Sequence, residues 1–178
     1  MKLSFDVDDG AGSTAALGLI VLQSDESMEA ELRSVFDQPG IALYHSRIPS
    51  APEVTAETLK QMELDLPLAA SLLPTARSLD VVGYGCTSGA TVIGADNVAA
   101  AINASHDGAK TTDPITAVMA ACRHLSVKRL GFVTPYVAEV SEAMRTLLEK
   151  NGLTVAAFGS FEQIEESVVS RITEQSVL

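Results

Sequence analysis

The feature that most constrains this chain is a long-period internal repeat. Leu17-Gly18-Leu19-Ile20-Val21 recurs as Leu130-Gly131-Phe132-Val133-Thr134, 113 positions later, and Gly40-Ile41-Ala42-Leu43 recurs as Gly152-Leu153-Thr154-Val155 at an offset of 112. Each copy begins with an apolar run followed by an amphipathic segment, so the unit strand–helix–glycine–strand–helix occurs twice. The third strand of the first copy ends at Cys86, and its counterpart would end at about position 198, past Leu178. The expectation is two α/β lobes, residues 17–112 and 113–178, with parallel sheets and a second lobe that stops before its third strand.

The local pattern agrees with that division. Gly18–Leu22 is uniformly apolar, as a strand covered on both faces should be. Ser24 and Asp25 are N-cap candidates for a helix carrying Met28, Leu32, Val35 and Phe36 on one face. A strand is expected at 41–44, a helix over 56–73 that Pro67 kinks or splits, and a strand at 79–84. Helices are expected at 88–93 and 95–104, then an extended piece at 109–112. Asp113-Pro114 opens a helix with proline at its first position, running to about Leu125. A strand over 129–134, a helix over 136–150, a strand over 153–158 and a helix over 161–176 complete the reading. Strands alternating with helices argue for an α/β fold with a mainly parallel sheet.

Composition excludes several function classes. Twelve Lys and Arg against 23 Asp and Glu give a net charge of −11. Nucleic-acid binders normally carry a basic face, and none is visible; Lys128-Arg129 near His124 reads as a solvated strand start. Apolar runs such as Leu19–Leu22 are too short to span a bilayer. No signal-peptide run follows Met1–Gly10, so the chain reads as cytoplasmic. Two Cys, 36 positions apart, make no disulfide framework. His45, His106 and His124 show no metal-ligand spacing to each other or to either Cys, so no metal is expected.

Three segments carry chemistry-bearing residues. Cys86 lies where a buried strand meets a helix, among Gly85, Thr87, Ser88 and Gly89. Open α/β sheets bind ligands outside the carboxyl ends of their strands, and a helix N-terminus there favours thiolate. Cys86 is therefore expected to be partly accessible with a lowered pKa, the other reading being a buried structural cysteine. Cys122, on a helix among small apolar residues, reads as packing. Thr134-Pro135-Tyr136 ends the first strand of the second copy, leaving the Tyr136 hydroxyl free to donate to a carboxylate or its ring to pack. Gln23-Ser24-Asp25-Glu26 brings polar groups to the end of the first strand, where they also suit an N-cap and an acidic first turn. Gly83–Ser88 lacks the third glycine of a dinucleotide loop, no P-loop lysine is present, and Ser88 is one place late for a nucleophile elbow.

Gly85-Cys86-Thr87-Ser88-Gly89, Thr112-Asp113-Pro114-Ile115-Thr116-Ala117 and Val127–Tyr136 together resemble the Asp/Glu racemase superfamily, in the branch of maleate cis–trans isomerase and arylmalonate decarboxylase. The resemblance runs from about Leu17 to Ser176. Leu22–Glu26 resembles a sub-branch associated with ectoine utilisation, in which the Pro-Ser-Ser-Asn of maleate isomerases is replaced. The resemblance implies two flavodoxin-like lobes related by a pseudo-twofold axis, a site between them, one cysteine from each lobe and no cofactor. Cys86 matches the first-lobe cysteine; the decarboxylase has glycine there, which argues against decarboxylation. Thr87, Ser88 and Tyr136 match positions that hold a substrate carboxylate. Asp25, beside Gln23, stands where the family has Asn, and when ionised it cannot donate as an amide does. The second cysteine would fall in the third strand of lobe two.

Two mechanisms stay open on these residues: addition of the Cys86 thiolate to a small cis-enedioate with rotation and elimination, or α-proton removal in an Asp/Glu-type racemase. A truncated, non-catalytic relative is a further alternative. The expected partners are a small carboxylate substrate and further copies of the chain, since an incomplete second lobe leaves an open sheet edge.

Overall fold

The computed structural model describes all 178 residues. The first sheet is built around β1 (Ala15–Leu22), whose side chains are buried without a break from Gly18 to Val21. β2 (Ile41–Ile48) pairs on one side, β3 (Val81–Tyr84) on the other, and β4 (Lys110–Thr112) lies outside β3, all parallel. Parallel neighbours require crossovers. Here these are α1 (Met28–Phe36), α2 (Ala56–Ser71), and the pair α3 (Thr87–Ile93) and α4 (Ala95–Asn103).

α5 (Pro114–His124) follows, its Asp113 cap accepting the Thr116 N–H at 2.9 Å. It leads to a second, two-stranded parallel sheet of β5 (Arg129–Tyr136) and β6 (Thr154–Gln163), joined by α6 (Ala138–Lys150). Two short helices, α7 (Glu166–Val169) and α8 (Glu174–Val177), end the chain. The expected repeat is therefore present as two parallel sheets, four strands against two. Val140, Met144 and Leu148 of α6 join the same buried cluster as Ile20, Leu66, Tyr84 and Ile93, which ties the second sheet to the first.

Two expectations need correction. Pro67 does not split α2, which is one helix of 16 residues. Pro67 lies on the exposed side, where the carbonyl it leaves unpaired can meet water. The helix expected over 161–176 is instead the end of β6 and two one-turn helices. Glu162 adopts a left-handed φ of 52°. The segment after it pairs antiparallel with the chain before α2: Val54 N–H donates to the Ile164 carbonyl and Glu166 N–H to the Pro52 carbonyl, both at 2.9 Å. Those bonds hold 164–166 extended. No helix of the structure is long and apolar enough to cross a membrane.

Candidate active site

The site begins where β3 meets α3. Gly85 extends the sheet by one bond, its N–H donating to the Ile20 carbonyl at 2.7 Å. A Cβ on Gly85 would lie 2.5 Å from the Met28 sulfur and 3.2 Å from the Ile20 carbonyl oxygen, so a larger residue would displace the Met28 side chain. Cys86 is the N-cap of α3; its sulfur accepts the Gly89 N–H at 3.2 Å and lies 3.6 Å from the Ser88 hydroxyl. A Cβ on Gly89 would meet the Tyr84 hydroxyl at 2.5 Å and the Cys86 sulfur at 2.9 Å, so both groups crowd that glycine. Tyr84 donates to the Met62 sulfur at 3.6 Å.

Cys86 is only 5 % exposed, which corrects the expectation of partial accessibility. Burial pushes its thiol pKa up; Ser88, the Gly89 N–H and Tyr84 pull it down, and the charge of Glu166 raises it further, for a net rise. The expected lowering fails because desolvation outweighs the few donors that face the sulfur. At rest Cys86 is a thiol.

The second sheet contributes Tyr136 from the end of β5. Its backbone is pinned by hydroxyls: Tyr136 N–H donates to Thr134 Oγ1 at 3.3 Å, and its carbonyl accepts from Ser141 Oγ at 2.9 Å and from Ser160 Oγ. Burial, then the charges of Cys86 and Glu166, raise the phenol's pKa against the opposing effect of Ser88. Tyr136 is therefore a neutral donor beside Ser88 and Cys86.

Glu166 and Tyr84 are the site neighbours that sequence reasoning missed. Glu166 is carried in by the pairing of 164–166 with 52–54, and its carboxyl pKa is raised by burial and then by Asp25. Tyr84 could have been noticed, since it is the inward residue of β3 two places before Cys86. Glu166 had no local signal.

The other candidates are placed as follows. Asp25 Oδ1 accepts the Ser27 and Met28 N–H groups at 3.1 and 2.9 Å and so caps α1. Gln23 is exposed, its N–H donating to the Ile48 carbonyl. Thr87 is half-buried and its carbonyl accepts from Thr91 Oγ1. The structure thus brings together Cys86, Ser88 and Tyr136, with Asp25 at the rim beside Glu166, and leaves Gln23 and Thr87 at the periphery.

Cys86, Ser88, Met62 and Glu166 line a cavity of about 20 Å³, room for a single water. Outside it lies a groove of about 590 Å³ along Gln23, Ser24, Glu53 and Ser167. Ser50, Ala51, Glu53 and Glu166 belong to both walls and separate the two spaces. A hollow of about 540 Å³ between α1 and α5 is lined chiefly by apolar side chains and does not include Cys86.

The sequence model of the arylmalonate decarboxylase family matches residues 90–178, half of the chain. The chain belongs to that family. A maleate isomerase of Pseudomonas putida superposes with a TM-score of 0.79 at 21% identity, over 91% of this chain and 70% of that one. A maleate cis–trans isomerase of Nocardia farcinica, solved with a covalently bound succinylcysteine intermediate, gives 0.80 at 22%, over 92% and 70%. A liganded arylmalonate decarboxylase variant gives 0.73 at 20%, over 92% and 69%. At these identities the likenesses show the fold. Compared by sequence with curated proteins, the chain matches none.

Proposed function

We propose that this chain carries the nucleophile half of a cofactor-independent isomerase in which Cys86 acts on a small dicarboxylate, as in maleate-type cis–trans isomerisation. The observation that carries the reading is the position of the Cys86 sulfur at the carboxyl end of a central strand, 3.2 Å from a backbone N–H donor and beside the neutral donors Ser88 and Tyr136. The succinylcysteine of the Nocardia farcinica enzyme is the adduct such a thiol would form.

The steps follow from the residues. Cys86 first loses its proton to a carboxylate, for which Glu166 is the near candidate. The thiolate forms a C–S bond to one alkene carbon, and the π electrons pass toward the far carboxylate, where Ser88 and Tyr136 donate. The former double bond rotates. Breaking the C–S bond restores the alkene as the trans isomer, and the sulfur takes back a proton. Thr87, Gln23 and Asp25 serve at the rim of the same site in this reading.

An Asp/Glu-type racemase is the second reading, with the same thiolate removing an α-proton; the carboxylates along the outer groove favour it. The division of the chain at 112/113 and a cytoplasmic homo-oligomer complete the proposal. Oligomer formation is supported by Leu64 and Leu68 of α2 and Leu72 at its C-cap, a stripe exposed by 68 to 73 %. The test is turnover of maleate and of acidic amino acids followed by NMR. Conversion that disappears in Cys86→Ser supports the reading, and conversion that survives that change ends it.

A further inference from the structure

Tyr84 is 1 % exposed, and its hydroxyl donates to the Met62 sulfur at 3.6 Å. A thioether is a weak acceptor, so this phenol proton is buried on a poor partner. Phenylalanine would fill the same space without carrying an oxygen into it. The Cys86 sulfur is the neighbour that gives the oxygen a use. One point locates both groups: the place a Cβ would take on Gly89 lies 2.5 Å from the Tyr84 hydroxyl and 2.9 Å from the Cys86 sulfur. Tyr84 does not line the cavity that Cys86, Ser88 and Met62 enclose, so its hydroxyl approaches the sulfur outside the space a substrate would take.

The two forms of the sulfur ask different things of that hydroxyl. A thiol accepts as weakly as a thioether and leaves the proton on Met62. A thiolate accepts far more strongly, and more so where water is excluded. Turning the O–H about its C–O bond moves the proton from one sulfur to the other while the ring stays still. We infer that Tyr84 is a positioning residue for the Cys86 nucleophile, a donor held on Met62 beside the resting thiol and turned to Cys86 when the thiolate forms. This rests on Cys86 being the reacting group of the proposed function. No proton is transferred. Burial, then the charge on Cys86, holds the phenol above its ordinary range, so the O–H bond stays intact. When the sulfur forms its C–S bond, negative charge leaves it and the O–H returns to Met62. The Gly89 N–H is fixed and serves both forms of the sulfur; Tyr84 serves the charged one. The other titratable groups around the sulfur are Tyr136 of β5 and Glu166 of α7. Asp25 acts on Glu166, and Glu53 stands in the cavity wall, where α2 presents Thr58, Leu59 and Met62 and no charge.

The test is the pH profile of iodoacetamide labelling of Cys86, in the whole chain with Cys122→Ser, read by mass spectrometry. Tyr84→Phe should displace the profile to higher pH by about half a unit or more, which slows labelling about threefold at any pH below its midpoint. Loss of packing alone has the opposite sign, since loosening the fold uncovers a thiol that is 5 % exposed. Met62→Leu, a swap of similar volume, removes the resting acceptor and should speed labelling about twofold or more. That gain should vanish in Met62→Leu/Tyr84→Phe. If circular dichroism shows Tyr84→Phe unfolded, a ring-fluorinated tyrosine at position 84, a stronger donor, replaces it and should displace the profile to lower pH. Labelling of folded Tyr84→Phe at or above the parent rate, a Met62→Leu gain that persists without the hydroxyl, or no displacement by the fluorinated ring overturns the inference and leaves the proposed function to the turnover of Cys86→Ser. If labelling of the parent occurs only through unfolding, with the urea dependence of unfolding itself, the inference and the proposed function fall together.

Discussion

β1 and β5 are repeat partners in sequence, yet they are held in different ways. In β1 four consecutive positions are buried; in β5 only Thr134 is, and β6 has no buried residue. The first sheet is fixed by apolar cover, with Leu66, Ile20 and Tyr84 almost wholly enclosed. The second is fixed at its functional end by hydroxyls, Thr134, Ser141 and Ser160 closing on the backbone of Tyr136. In the proposed reaction the nucleophile needs a rigid seat, which the buried sheet supplies. The proposed donor, Tyr136, needs only its backbone aimed, which three short polar side chains achieve on a largely exposed sheet.

The sharpest way to break this contrast is at the chemistry. Cys86→Ser is expected to lower turnover by on the order of a thousandfold or more, since a hydroxyl is a far weaker nucleophile near neutral pH. Cys122→Ser, half-buried on α5, should change it by less than about twofold. The pH dependence adds a signature. With the Cys86 thiol held above its ordinary value by burial, its iodoacetamide labelling should rise at higher pH in the folded chain than in the same chain unfolded. A profile shifted to lower pH would restore the thiolate expected from the strand-to-helix junction.

The next effect is on stability. Leu66→Ala, beneath the first sheet at 0 % exposure, should cost about 2–5 kcal/mol in urea denaturation. Phe158→Ala removes a ring that is 44 % exposed, tilted against Phe132 at 5.7 Å and capped by Arg145 at 6.0 Å. It should cost only about 1 kcal/mol. Equal losses would mean that the second sheet is covered in solution.

A smaller difference separates two residues at the end of β1. Asp25→Ala should cost about 1 kcal/mol, because its carboxylate receives two N–H groups of the first turn of α1. Ser27→Ala, formally at the cap but making no side-chain cap bond, should lie within about 0.5 kcal/mol of the parent.

The smallest effect is electrostatic. The raised pKa of Glu166 means that the folded chain binds its proton more tightly than the unfolded chain. That contribution to stability is fully present below the ordinary carboxylate value and is lost as pH rises through the folded value. The slope of denaturation midpoint against pH should be shallower in Glu166→Gln over that window.

These contrasts also mark what the sequence could reveal. The Cys86 junction was legible because everything that places it is local: a buried strand, two glycines and a helix start. Tyr136 was legible as a strand end, although its helix begins two residues later than expected, at Ala138. Glu166 was hidden. Ile164, Val168 and Ile172 recur at helical spacing and imitate an amphipathic helix, yet Ile164 and Val168 are each 40 % exposed, so no buried face rewards that helix. What places Glu166 is its backbone pairing with residues more than 100 positions earlier, and hydrophobic periodicity carries no trace of such a contact. The same contact sets Glu53, Val54 and Glu166 in the wall around Cys86, so that part of the thiol's cover was hidden for the same reason.

The pairing of 164–166 with 52–54 also sets an order in time. Cys86 leaves the ribosome about 80 residues before Glu166, an interval on the order of 4–16 s at ordinary synthesis rates. Through that interval β1, β2 and β3 can assemble around a thiol whose cover has not yet been made. In that interval the wall that Glu166 adds beside Cys86 is the part still to come.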